Sequence, residues 1–192
     1  LGVQSATSLV LDHVTLTGPV TPSNAASITY PPDPKQTATH GLVLVDVSGD
    51  VNTLTDVTAT GFADYGALFV RSNATWTNGG ASNNLGTGLM VAGGTVTLNA
   101  VSLINNFAGN RPVPSYGALI TDHVGGVAQT MAVNLRTTNL TVRDNADIGV
   151  LHDGAAVDAQ HKDLIGQNNG RAAVWAQGAM PLFQLDNPSI DN

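Results

Sequence analysis

The sequence predicts an all-β fold, a parallel β-helix in which one chain winds short strands into about seven stacked rungs. Three observations lead there. A Gly-led segment recurs about every 22 residues wherever nothing is inserted. Apolar residues follow it at a fixed spacing, and side-chain amides cluster at the corner after them. Composition agrees: of 192 residues 42% are hydrophobic and 11% charged, and Gly, Asn, Thr, Val and Leu are abundant while Lys and Glu are scarce.

The rungs open at Leu1, Gly41, Gly66, Gly88, Gly117, Gly149 and Ala172. Gly41-Leu-Val-Leu-Val, Gly66-Ala-Leu-Phe-Val, Gly88-Leu-Met-Val-Ala, Gly117-Ala-Leu-Ile-Thr and Gly149-Val-Leu-His-Asp are versions of one strand. Apolar residues then fall at offsets 8, 10, 13 and 15: Leu9, Leu11, Val14 and Leu16 in the first rung, Val96, Leu98, Val101 and Leu103 in the fourth. Val157, Ala159 and Leu164 follow in the sixth, where Lys162 interrupts, and Met180, Leu182 and Leu185 in the last. A spacing of two is a strand with one face inward, and the step of three between the pairs is a bend. Asn83-Asn84, Asn105-Asn106, Asp144-Asn145 and Asn168-Asn169 mark the next corner. Asn tolerates left-handed turn geometry, and stacked Asn side chains can bond to their copies at the strand spacing of about 4.8 Å. A sandwich of antiparallel strands would also show short alternating strands with Gly and Asn turns, and stands as the alternative.

Three short strands per coil, a Gly turn and an Asn corner resemble the right-handed parallel β-helix of the pectate-lyase-like superfamily, a fold shared by polysaccharide lyases, glycosidases, phage tailspikes and bacterial surface adhesins. The handedness comes from that resemblance. Its enzymes act with Asp, Arg, Lys or His projecting from one sheet, but the chain carries no family-specific catalytic motif. Three insertions interrupt the coil: residues 18–40 with Pro31-Pro32-Asp33-Pro34, residues 108–116 with Arg111-Pro-Val-Pro114, and residues 123–134 beginning His123-Val-Gly-Gly. Proline cannot donate into a ladder, so these are loops leaving the corners.

Column reading assigns faces. Offset 5 is polar (Asp46, Arg71, Gly93, Asp122, Gly154 and Gln177), so offset 3 is expected to face out with it: Leu44, Phe69, Val91, Ile120, His152 and Trp175. This makes an apolar stripe about 25–30 Å long, covered by residues 18–40 or by another chain. In the opposite register Val43, Leu68, Met90, Leu119 and Leu151 form the outward set. Phe69, Ile120, His152 and Trp175 are the candidate binding residues, and Trp76 falls in an inward column. Asp46, Arg71 and Asp122 are the candidate catalytic residues, although Asp46 beside Arg71 also reads as a surface ion pair. His152 and Asp153 point to opposite faces of a strand, so no metal site is expected from them. The Thr-x-Thr pairs at Thr53/Thr55, Thr75/Thr77 and Thr95/Thr97 suit ordinary β-propensity.

A net charge of −7 turns the chain away from nucleic acid and anionic membranes. Without cysteine there is no disulfide framework and no thiolate metal site. No run reaches the ~18 apolar residues of a membrane span, so no membrane insertion is expected. The start Leu1-Gly2-Val3-Gln4 and rungs reaching both ends read as one domain within a longer chain. The function expected is a non-catalytic, secreted or cell-surface module that binds carbohydrate, a protein partner or its own copy, without cofactor. The alternative is a small lyase or glycoside hydrolase on acidic polysaccharide using Asp46, Arg71 and Asp122.

Overall fold

The computed structural model describes residues 1–21, 24, 39–49, 52–109, 114–123 and 131–191. Most of the insertion at 18–40, including Pro31 to Pro34, lies outside them, as do Arg111 to Val113 and the segment after His123.

Seven rungs follow in chain order. The first holds β1 (Gly2–Gln4), β2 (Leu9–Asp12) and β3 (Thr15–Thr17), and the second β4 (His40–Val45), β5 (Asn52–Thr55) and β6 (Thr58–Thr60). In the third and fourth, β7 (Tyr65–Val70) and β9 (Thr87–Ala92) are each followed by one long bent strand, β8 (Ala74–Ser82) and β10 (Gly94–Ile104). The fifth holds β11 (Tyr116–Thr121), β12 (Val133–Thr138) and β13 (Thr141–Arg143), and the sixth β14 (Ile148–Asp153), β15 (Val157–Lys162) and β16 (Ile165–Gln167). The seventh is β17 (Ala172–Gln177), β18 (Leu182–Asp186) and β19 (Ser189–Asp191). All pairing is parallel, each strand with its copy one rung away. The opening strands form a seven-stranded sheet and the other twelve a second sheet creased along its length.

Left-handed residues make the corners. His13, Asp56, Asn78, Ala100, Asn139, Asp163 and Asn187 share positive φ at the crease, and Asn83, Asn105, Asp144 and Asn168 at the corner before the next rung. Asn and Asp take this geometry at least cost among residues with a Cβ, which explains their spacing in the sequence.

The amide corner holds a buried ladder. The Nδ2 of Asn84 donates to Asn106 Oδ1 at 3.0 Å, Asn106 to Asn145 at 2.9 Å and Asn145 to Asn169 at 2.9 Å. Each Oδ1 also accepts the backbone N–H of the preceding rung's ladder residue, so one side chain satisfies polar groups in two rungs. The leading glycines lie against it. A Cβ on Gly88 would stand 2.7 Å from Asn106 Nδ2 and 2.7 Å from the Gly117 carbonyl, so the glycine column and the amide column are one packing unit.

The inward columns make one core. Leu44, Phe69, Val91 and Ile120 face Leu54, Trp76 and Leu98 across the coil, all 0% exposed. Trp76 satisfies its indole N–H on the Val57 carbonyl at 3.1 Å.

This placement corrects the expected facing. Phe69, Ile120 and His152 are core residues, and the outward column is Val43, Leu68, Met90, Leu119, Leu151 and Trp175. The polar residues at offset 5 do not continue the strand's alternation, because Asp46, Arg71, Gly93 and Gly154 there take positive φ at the corner, so offsets 1 and 3 face inward while offset 5 faces out. The last rung is displaced by one: Ala172 pairs with Ile148, which places Ala173 in the glycine column and Trp175 beside Leu151. The first is displaced by one in the other direction, since Gly2 pairs with Val43. Leu182, expected inside, faces out beside Asp158, and Phe183 takes its place in the core.

Candidate functional site

Asp46 and Arg71 stand at the same corner one rung apart, and the guanidinium clamps the carboxylate through both oxygens at 2.6 and 2.8 Å. That hydrogen bond holds the Asp46 carboxyl below the usual carboxylate range. Each group is thereby satisfied by the other, at an exposed position where such pairs contribute little.

Asp122 has other partners. Its Oδ2 accepts the Ala156 N–H at 3.0 Å, and its Oδ1 lies 3.0 Å from His123 Nδ1. Burial pushes this carboxyl up, but the bonds from His123 and Ala156 outweigh it and the net shift is downward. Gly154 closes over the carboxylate so tightly that any Cβ there would collide with it. Asp122 therefore anchors the turn at 154–156, and the three catalytic candidates do not converge. What the structure does bring together is His123 between two carboxylates, with its Nε2 3.7 Å from Asp153 Oδ2. Asp153 in turn accepts from Gln177 at 2.8 Å.

Among the binding candidates Trp175 alone is exposed, at 43%. The Arg171 guanidinium lies 5.7 Å from its ring centre, itself held by Asp147 at 2.8 and 2.9 Å. Around it Leu151 and Met90 are nearly buried, and Val43, Leu68 and Leu119 half-buried. Whether residues 18–40 cover this column lies outside the described residues.

The most continuous polar surface is on the other sheet. Two neighbouring outward columns run along its first half: Thr53, Thr75, Thr97, Arg136, Gln160 and Gln184, and beside them Thr55, Thr77, Asn99, Thr138, Lys162 and Asp186. Six rungs at about 4.8 Å make this face some 24 Å long. It holds two shallow depressions, one of about 220 Å³ lined by Asn52, Asn73, Thr75, Thr95 and Thr97 among others. The second, of about 230 Å³, includes Arg136, Thr138, Gln160, Lys162, Gln184 and Asp186. Arg136 is paired with Asp158 at 3.0 Å.

The period-2 pattern of Thr53-x-Thr55 and Thr75-x-Thr77 signals this face in the sequence. Its continuation through Gln160 and Lys162 is hidden by two extra residues at the turn after Asp153, which shift the register so that Ala159 rather than Val157 stands beside Leu135. The same shift hides His161, an inward residue that meets His152. Near the first rung Asp12, His13 and Asp56 form an exposed cluster in which the two carboxylates take both ring nitrogens, at 2.8 and 3.2 Å.

No protein-family model matches the chain, and no curated protein sequence matches it. Among solved structures it is similar to a periplasmic alginate epimerase, AlgG, with a TM-score of 0.62 and 13% identity over 80% of this chain and 36% of that one. It is also similar to pectate lyase Pel9A, with a TM-score of 0.55 and 19% identity over 74% of this chain and 34% of that one. At these identities the likeness shows the fold alone, the all-β right-handed parallel β-helix. The chain spans about a third of the length of either neighbour.

Proposed function

We propose that this chain is a non-catalytic polysaccharide-binding β-helix of a secreted or cell-surface protein, with the ligand lying along the outer face of β5, β8, β10, β12, β15 and β18. One observation carries the reading: two unbroken columns of hydroxyl, amide and charged side chains on one outer face, spaced at the rung repeat, with one depression lined by both columns and the other reaching Thr75 and Thr97. A chain of sugars offers hydroxyls at a regular spacing, and such columns can meet them with hydrogen bonds rung after rung. The likeness to proteins named for alginate and pectate supports polysaccharide as the ligand class, and the mutual capture of Asp46 and Arg71 supports binding without turnover. The experiment is affinity electrophoresis against alginate, polygalacturonate and a neutral glucan. Retardation by at least one, weakened several-fold by Thr97→Ala and Gln160→Ala with unchanged melting temperature, is expected. Absence of retardation by every polysaccharide sinks the reading.

A second reading, a small lyase or epimerase on acidic polysaccharide, rests on His123 held between Asp122 and Asp153. Release of unsaturated oligosaccharides or C5 inversion by the wild type, abolished in His123→Ala, would establish it in place of the first.

A further inference from the structure

The inward columns are apolar along most of the coil, but in rung six two of them carry histidine. His152 stands where Leu44, Phe69, Val91 and Ile120 stand in other rungs, and His161 where Leu54, Trp76, Leu98 and Leu185 stand. Both rings are buried, and their Nε2 atoms face each other at 2.9 Å, so one proton lies between them. His161 Nδ1 is 2.9 Å from Thr137 Oγ1, whereas His152 Nδ1 has no partner among the described residues. One arrangement leaves no imidazole N–H unpaired. His152 carries its proton on Nε2 and donates to His161, which carries its own on Nδ1 and donates to Thr137. The bare lone pair of His152 Nδ1 is then the one place for a further proton, and that N–H would have no acceptor.

Among the described residues nothing charged faces the pair. The residues turned toward it are Ile120 on β11, Thr137 on β12, Ala176 on β17, and Phe183 and Leu185 on β18, with Phe183 edge-on to both rings. Arg136, Asp153, Asp158, Lys162 and Asp186 on the same strands are on the outer face. We propose that the His152–His161 pair is an acid-operated latch that keeps rungs six and seven wound onto the coil at neutral pH and lets them open when the surroundings acidify.

Burial pulls His152 down to about 3, helped by the charge of His161, and burial alone pulls His161 down to about 4, from 6.5 in an open chain. The pair's contribution is complete above pH 6.5 and is lost as the pH falls through the window below it. Between pH 7 and pH 4.5 the opening equilibrium gains roughly fifty-fold for each imidazole freed.

The test is hydrogen exchange of the whole chain at pH 7 and pH 4.5, corrected for intrinsic rates. Amides of β14 to β19 should lose at least fifty-fold in protection relative to those of β4 to β10. The double variant His152→Ile with His161→Leu, which copies the neighbouring rungs, should abolish that difference. Imidazole NMR of the wild type is independent of whether the variant folds: both rings should remain neutral at pH 5 as the two tautomers assigned above. Either ring titrating near 6.5 in the folded protein, a uniform loss of protection along the coil, or an undiminished acid response in the double variant overturns the proposal.

Discussion

Replacing Asn106 by alanine tests the central claim about what holds the rungs together. Its Oδ1 accepts both the backbone N–H of Asn84, at 3.2 Å, and the side-chain Nδ2 of Asn84, at 3.0 Å. Its own Nδ2 donates to Asn145 Oδ1 at 2.9 Å and to the Ala81 carbonyl at 3.3 Å. Asn106→Ala leaves two N–H bonds of Asn84 unmatched at a site 0% exposed. At about 1–3 kcal/mol for each orphaned buried donor, the loss is roughly 2–6 kcal/mol. Asn106→Asp should be at least as harmful, since an oxygen would face Asn145 Oδ1 and the Ala81 carbonyl. Asn105, the next residue outward, provides the control. It has a φ of 55° and a side-chain bond to Asn83 at an exposed position, so Asn105→Gly should change stability by less than about 1 kcal/mol. Urea titration followed by circular dichroism measures all three. If Asn106→Ala and Asn105→Gly fall together within about 1 kcal/mol of the wild type, the ladder contributes no more than a surface turn and the reasoning fails.

Gly88→Ala should destabilise by about 1–3 kcal/mol, read as a lowered melting temperature, because the new methyl clashes with both the Asn106 amide and the Gly117 carbonyl. Trp76→Phe should cost about 1–2 kcal/mol in the same assay, since it empties part of a fully buried site and removes one of the two donors to the Val57 carbonyl, which keeps the Gly80 N–H. Arg71→Ala should leave the melting temperature and polysaccharide retardation unchanged, while NMR titration of Asp46 shows its carboxyl rising toward the ordinary range, as the first cause of its lowering is gone. A fall in retardation would return Arg71 to the binding surface. The wild-type melting temperature should be level above pH 6.5 and fall below it, the direction set by two histidines whose folded values lie beneath their open-chain value.

The rung count, the parallel all-β architecture, the Gly column and the amide corner were legible in the sequence because each is a local rule repeated. Asn83, Asn105, Asp144 and Asn168 recur because the turn needs a left-handed residue, Asn84, Asn106, Asn145 and Asn169 because the ladder needs an amide, and Gly66, Gly88 and Gly117 because the ladder leaves no room for a Cβ. Period two along each strand likewise identified two alternating sets of residues, but it did not say which set faced the core. That depended on the left-handed corner after the strand, where the polar residues at offset 5 do not continue its alternation, and on insertions that shift one rung against the next. Only tertiary pairing placed Phe69 and Ile120 inside, left Trp175 beside Leu151 on the surface, aligned Thr97 with Arg136 and Gln160, and brought His152 against His161. The physical reason is that a side chain's face is set by its register against strands one rung away, and a slip of one residue, invisible in composition or spacing, reverses it.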